Sequence, residues 1–209
     1  MSLNHSSTRK IAIVDDDDAI RDALSWLFST RNHQVSTFAS AEELLATYRP
    51  DDYGSLVLDV RMPGMGGLEL FNKLQEYAYC PPVIFLTGHG DVPMAVAALK
   101  QGAADFIEKP FSDNDIVDLV ESCLSQDQLS REEWQTRTAV DQRLACLTPR
   151  EREVMKLILT GRLNKQIADD LSISMKTVEV HRARILEKMQ VKTAMELAAR
   201  LRDAGVEPQ

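Results

Sequence analysis

The sequence predicts an α/β domain with a doubly wound, five-stranded parallel sheet, followed by a helical linker and an all-α domain of four helices. Three observations carry this reading. Short apolar, β-branched runs alternate five times with helix-like segments over residues 1–125, as the βα units of a parallel sheet do. Residues 126–143 contain no Gly or Pro, which flexible tethers are usually rich in, so the fifth helix is expected to continue through them. Residues 144–209 carry helix start and stop signals at close spacing.

Strands are expected at 11–14, 34–38, 56–58, 83–86 and 104–107, and helices at about 19–30, 41–49, 66–76, 92–101 and 113–125. Asp18 is read as the cap of the first helix, and Ser40 with Glu43 has the spacing of a capping box. Leu129 and Trp134 are the few apolar anchors of the linker. Thr148, Pro149 and Glu151 combine an N-cap, a proline at the first helical position and a glutamate three after the cap; Gly161 then stops that helix. A short helix follows Asn164, Ser174 caps a longer one ending near Met189, and Thr193 with Glu196 opens a last helix that Gly205 ends.

A chain of 209 residues has room for two domains. No apolar stretch approaches the length of a membrane span, and residues 1–10 lack the apolar core of a signal peptide. Three widely spaced cysteines favour neither a disulfide framework nor a zinc site, so a reduced cytoplasmic protein is expected. The net charge of −8 is unevenly spread. Residues 1–125 hold 9 Lys/Arg and 19 Asp/Glu, whereas residues 144–209 hold 12 and 9, which suggests two domains with different partners.

Four consecutive carboxylates, Asp15 to Asp18, close the first strand. Two like charges about 4 Å apart repel by roughly 4 kcal/mol at an effective dielectric near 20. A divalent cation taking oxygen ligands is the expected compensation. Asp59 ends the third strand, Thr87 the fourth, and Lys109 lies just past the fifth, all at the edge where such sheets bind ligands. This set suits phosphoryl transfer to an aspartate, with a cation neutralising charge and a hydroxyl and a lysine holding phosphoryl oxygens. Asp17 and Asp18 read as helix-start residues rather than ligands, and His89 as a surface loop residue; His5 and His33 carry no signal.

Val14-Asp15-Asp16, Leu58-Asp59-Val60-Arg61-Met62-Pro63-Gly64, Thr87-Gly88-His89-Gly90-Asp91 and Phe106-Ile107-Glu108-Lys109-Pro110-Phe111 resemble, in order and spacing, the CheY-like receiver domain of two-component response regulators. The likeness is greatest to the FixJ type and covers about residues 8–125. It implies that Asp59 accepts a phosphoryl group from the phosphohistidine of a sensor histidine kinase. It further implies that Asp15, Asp16, Asp59 and the Arg61 backbone carbonyl hold Mg²⁺. Thr87 then matches the switch hydroxyl, Lys109 the ion-pairing lysine, Phe106 the aromatic switch, and Pro110 the residue after a bond that is typically cis.

In the last domain the turn at Ser172 to Ser174 joins two helices as a helix-turn-helix, whose second helix enters the DNA major groove. That helix and its surroundings supply Lys165, Lys176, Arg182, Arg184, Lys188 and Lys192 as cations. Glu179 can accept from cytosine N4, and Val180 can touch a thymine methyl. Leu147-Thr148-Pro149-Arg150-Glu151-Arg152-Glu153-Val154, Asn164-Lys165-Gln166-Ile167-Ala168 and Thr177-Val178-Glu179-Val180-His181 resemble the LuxR/NarL-type DNA-binding domain. The resemblance implies base-facing roles for Glu179, Val180 and Ala183, and phosphate contacts for Thr177, Lys165, Lys188 and Lys192. At least one of Arg182 and Arg184 is expected on a solvated face. The stripe Ala194, Leu197, Ala198 and Leu201 suits either core or a dimer seam, and the family suggests a dimer.

The expected function is therefore a response regulator transcription factor rather than a metabolic enzyme. Phosphorylation at Asp59 would control dimerisation and binding to promoter DNA, with RNA polymerase as a further partner and no membrane. A metal-dependent aspartyl phosphatase would also use an Asp nucleophile, but it often carries a second carboxylate two residues on, where Arg61 stands. A regulator whose front domain responds to binding alone would leave the convergent set unused. An autoinducer-type regulator fits only the second domain.

Overall fold

The computed structural model describes residues 9–88 and 92–206. His5, His89, Gly90 and Asp91 lie outside the described residues. The chain divides into two compact units, Met1–Ser130 and Arg131–Gln209.

The first unit holds five parallel strands, β1 (Lys10–Val14), β2 (Val35–Phe38), β3 (Tyr53–Asp59), β4 (Val83–Thr87) and β5 (Asp105–Glu108), in the order β2-β1-β3-β4-β5. Between them run α1 (Asp18–Ser29), α2 (Ala41–Thr47), α3 (Gly67–Leu74) and α4 (Val92–Lys100), and α5 (Asp113–Ala145) follows. Alternate residues of each central strand face opposite cores, as the period of two requires. Ala12, Val14, Leu56, Leu58, Val83 and Phe85 pack with Leu44 of α2 and Leu70, Phe71 and Leu74 of α3. Ile11, Ile13, Val57, Ile84 and Leu86 pack with Leu24, Leu27 and Phe28 of α1 and Ile116, Val117 and Val120 of α5. The strands are apolar on both faces because helices cover both. Only the tips are left for polar work.

Local signals place most helix ends within one or two residues. Asp17, not Asp18, caps α1: its side chain accepts from the Ala19 N–H, and Asp18 is the first helical residue. Ser40 caps α2 as expected, but the Glu43 carboxylate accepts from the Ala39 N–H, one residue before the cap. The third strand is longer than its apolar triplet, since Tyr53 and Ser55 pair with β1 and the whole of Tyr53–Asp59 is buried. Leu129 is 65 % exposed and anchors nothing. A polar clasp holds α5 to the foot of the sheet instead. The buried Asp127 carboxylate accepts from Arg9 Nη1 at 3.2 Å and from the Tyr79 hydroxyl at 2.9 Å.

The second unit continues with α6 (Pro149–Leu159), α7 (Asn164–Asp170), α8 (Met175–Lys188) and α9 (Ala194–Asp203). Thr148 and Glu151 form the full reciprocal capping box at α6, and Gly161 leaves the helix at φ +79°, which an L side chain would resist. Leu163, not Asn164, is the cap of α7, and the Gln166 side chain accepts from its N–H. Thr193 caps α9, while Glu196 reaches past it to the Lys192 N–H. Val154, Ile158, Ile167, Val178 and Ile185 make the core together with Leu197 and Leu201 of the α9 stripe, whereas Ala194 and Ala198 are half-buried. Arg200 caps α8 by donating to the Met189 and Gln190 carbonyls.

Candidate functional site

Strand register brings the polar tips of the first unit together. Val14 pairs with Leu58, so Asp15 and Asp59 leave adjacent strands side by side; Thr87 pairs with Glu108, so Lys109 emerges next to Thr87. The Lys109 N–H donates to the Thr87 carbonyl at 2.7 Å, and the Lys109–Pro110 bond is cis. Lys109 Nζ lies 2.7 Å from Asp59 Oδ1 and 2.8 Å from Asp15 Oδ2, bridging the two carboxylates. The second Asp59 oxygen accepts from the Arg61 N–H at 3.1 Å. Gly67 is obligatory behind it, because a Cβ there would collide with the Asp59 carbonyl oxygen.

Burial governs the electrostatics. Asp59 is 7 % exposed, and desolvation raises its pKa above the usual carboxylate value despite Lys109 beside it. For Lys109, desolvation works against the ammonium, but the bonds to Asp15 and Asp59 outweigh it and hold its pKa above the ordinary value. The Thr87 hydroxyl, fully buried, donates to the Ile107 carbonyl at 3.3 Å. Phe106 is half-buried against the α2–α3 side of the sheet.

Oxygens of Asp15, Asp16 and Asp59 all lie within 4.8 Å of one another, with Asp16 exposed. Three hard oxygen donors, one open to solvent, fit a small divalent cation that keeps some of its waters. Arg21 was missed in the sequence: it reaches from α1 to the Asp15 carbonyl and to the Asp18 carboxylate. Its signal was the i, i+3 spacing to Asp18 on the first turn.

In the second unit, Lys176, Glu179, Val180, Ala183 and Arg184 are all exposed on α8, and Thr177 is half-buried. At about 100° per residue the five exposed residues share one broad face. Lys165 and Lys192 are exposed on flanking segments. Two candidates depart from expectation. Arg182 lies about 120° around the helix from Lys176 and is half-buried. Lys188 Nζ is bound 2.7 Å from the buried Glu151 carboxylate and 3.1 Å from the Cys146 carbonyl, with about a third of its side chain exposed. Desolvation opposes the Glu151 charge, yet Lys188 and the Thr148 N–H and hydroxyl outweigh it and lower its pKa. Lys176 and Glu179 form an open pair at 3.4 Å.

Comparison with known proteins agrees with both halves. Residues 11–121 match the response regulator receiver domain, and residues 145–201 match the bacterial regulatory proteins of the luxR family. The C4-dicarboxylate transport transcriptional regulatory protein DctR of Rhodobacter capsulatus is 50 % identical, covering 90 % of this chain and 96 % of its own. The transcriptional regulatory protein FixJ of Azorhizobium caulinodans is 43 % identical over 95 % of this chain and 94 % of its own. The solved response regulator StyR matches with a TM-score of 0.82 at 38 % identity, covering 93 % of this chain and 98 % of its own. With a receiver on a five-stranded parallel sheet and a LuxR-type helical domain in one chain, this protein belongs to the response regulators, a family of transcriptional regulatory proteins of two-component systems.

Proposed function

We propose that Asp59 is the phosphoacceptor, and that its phosphorylation by a sensor histidine kinase controls dimerisation and binding to promoter DNA. The observation that carries this is the Lys109 ammonium held between Asp15 and Asp59 at the strand tips. A buried carboxylate beside a fixed cation is poised to bond a phosphoryl group and to have its new charge met. An Asp59 oxygen attacks the phosphorus of the kinase's phosphohistidine; the P–N bond breaks as the P–O bond forms, and the imidazole takes a proton from solvent. Asp15, Asp16, Asp59 and the Arg61 backbone carbonyl are the residues that would hold Mg²⁺. When bound, that ion supplies neutralisation of the phosphoryl charge.

Phosphorylation adds acceptor oxygens that compete for the Thr87 hydroxyl, which is free to exchange its bond to the Ile107 carbonyl for a stronger, charged one. Phe106, on the same strand as Ile107, then repacks and alters the face built from α4 and β5. That face either pairs two receivers or releases a held DNA-binding domain. The receiver role falls to residues 1–125, linkage to 126–143 and DNA binding to 144–209. Glu179, Val180 and Ala183 would face bases, with Lys165, Lys176, Thr177, Arg184 and Lys192 toward phosphates. A dimer gains by joining two half-site contacts. The same reading makes RNA polymerase a partner and the cytoplasm the compartment.

Light scattering with Mg²⁺, before and after beryllofluoride as a phosphoryl mimic, tests the switch. Monomer should pass to dimer in the wild type and not in Asp59→Ala. DNA affinity equal in the phosphorylated protein and in Asp59→Ala would sink the proposal.

A further inference from the structure

We infer that Arg21 is the positioning residue of the carboxylate turn, holding Asp15 and Asp16 where a divalent cation can use both. This rests on the Mg²⁺ reading above. Each acid in the run except Asp16 has a partner among the described residues. Asp15 Oδ1 accepts from the Asp17 N–H at 2.9 Å and Oδ2 from Lys109; Asp17 caps α1; Asp18 pairs with Arg21. The guanidinium, 14 % exposed, spans the turn: Nη1 donates to the Asp15 backbone carbonyl at 2.6 Å, and Nη2 donates to Asp18. Asp15 lies just past the last paired residue of β1, so that carbonyl has left the β1–β3 ladder. A buried acceptor needs a donor, and a rigid two-armed one also fixes the direction of the chain. One arm holds the strand end and the other the first turn of α1, and Asp16 sits between them. The guanidinium also brings positive charge to the most acidic turn of the chain, which no local backbone donor would do.

Calorimetric titration of Mg²⁺ into the full chain tests this, with a thermal melt of each variant beside it. Arg21→Ala should weaken Mg²⁺ affinity by about 10-fold or more, the range typical of residues that orient metal ligands. Arg21→Lys, a point donor that cannot span both acceptors, should fall between Ala and wild type. Phosphorylation by acetyl phosphate should slow at limiting Mg²⁺ and recover at saturating Mg²⁺. Unchanged Mg²⁺ affinity in Arg21→Ala overturns the proposal; should that variant not fold, unchanged affinity in Arg21→Lys does so. A wild type that binds no Mg²⁺ would instead remove the metal reading itself.

Discussion

The strand-tip pocket and the exposed face of α8 are both charged, yet they are built on opposite principles. In the pocket, Asp15, Asp59 and Lys109 are withdrawn from water and satisfy one another at 2.7–2.8 Å. On α8, Lys176 and Glu179 stand in solvent and pair loosely. A buried set is expensive to assemble and acts at full strength in low dielectric, so geometry is decided before a ligand arrives. An exposed set costs the fold almost nothing and contributes little until a partner excludes water. The difference teaches where to look for function: in mutual distances for the first, and in what remains uncovered for the second.

The largest test of the contrast is Asp59→Asn. Phosphoryl uptake from acetyl phosphate, read on a phosphate-affinity gel, should fall by about 1000-fold or more, in line with loss of a nucleophile. Stability should move the other way. Because burial holds the Asp59 carboxyl above its usual pKa, its ionised form strains the folded state at neutral pH, and removing the charge should raise the melting temperature. A drop in melting temperature would contradict that account of the pocket.

Next comes the pair that Lys188 makes with the buried Glu151 in the second unit. Glu151→Ala takes one acceptor from Lys188, which keeps the Cys146 carbonyl, and the acceptor of the Thr148 N–H, and should cost about 1–2 kcal/mol in chemical denaturation. The folded Glu151 carboxyl sits below its ordinary value of 4.5. Its stabilisation is therefore complete above that value and is lost as pH falls through the lowered one. Lys109 shows the opposite sign: raised above 10.5, it stabilises below that value and loses its contribution as pH climbs through the folded one. Acid melts of wild type and Glu151→Ala should converge. Curves that stay parallel down to the acid limit would exclude this pair as the cause.

The smallest expected effect sharpens the exposed side. Lys176→Ala should leave stability within about 0.5 kcal/mol, as surface changes do. Its DNA affinity should weaken alike on specific and unrelated sequences, with the salt slope falling by about 1. An altered sequence preference would move Lys176 from phosphate to base.

Much of the fold was legible in order. Five apolar runs sit between helical stretches; β3 and β4 end on Asp59 and Thr87, and Asp15 and Lys109 directly follow β1 and β5, because a parallel sheet puts its polar residues at its carboxyl edge. Helix starts were legible wherever a short polar side chain preceded a glutamate, since a cap is a local bond. The errors also have a local reason. Asp17 and Asp18 are chemically equivalent caps, and Asp17 is the one whose backbone is extended and whose side chain accepts from the Ala19 N–H. Leu129 looked like an anchor because spacing along a helix does not say which face meets protein.

The order of residues carries the chemistry: which groups are present, in what order, and at which ends of which elements. Tertiary structure decided their partners. Lys188 and Lys176 lie on one helix with the same side chain, yet one closes on a buried glutamate from α6 and the other faces solvent. Arg21 on α1 and Lys109 just past β5 lie 88 residues apart, and both end on Asp15. The Lys188 and Lys109 pairings follow from packing and register, which bring groups distant in sequence within 3 Å, and neither is encoded in spacing along the chain.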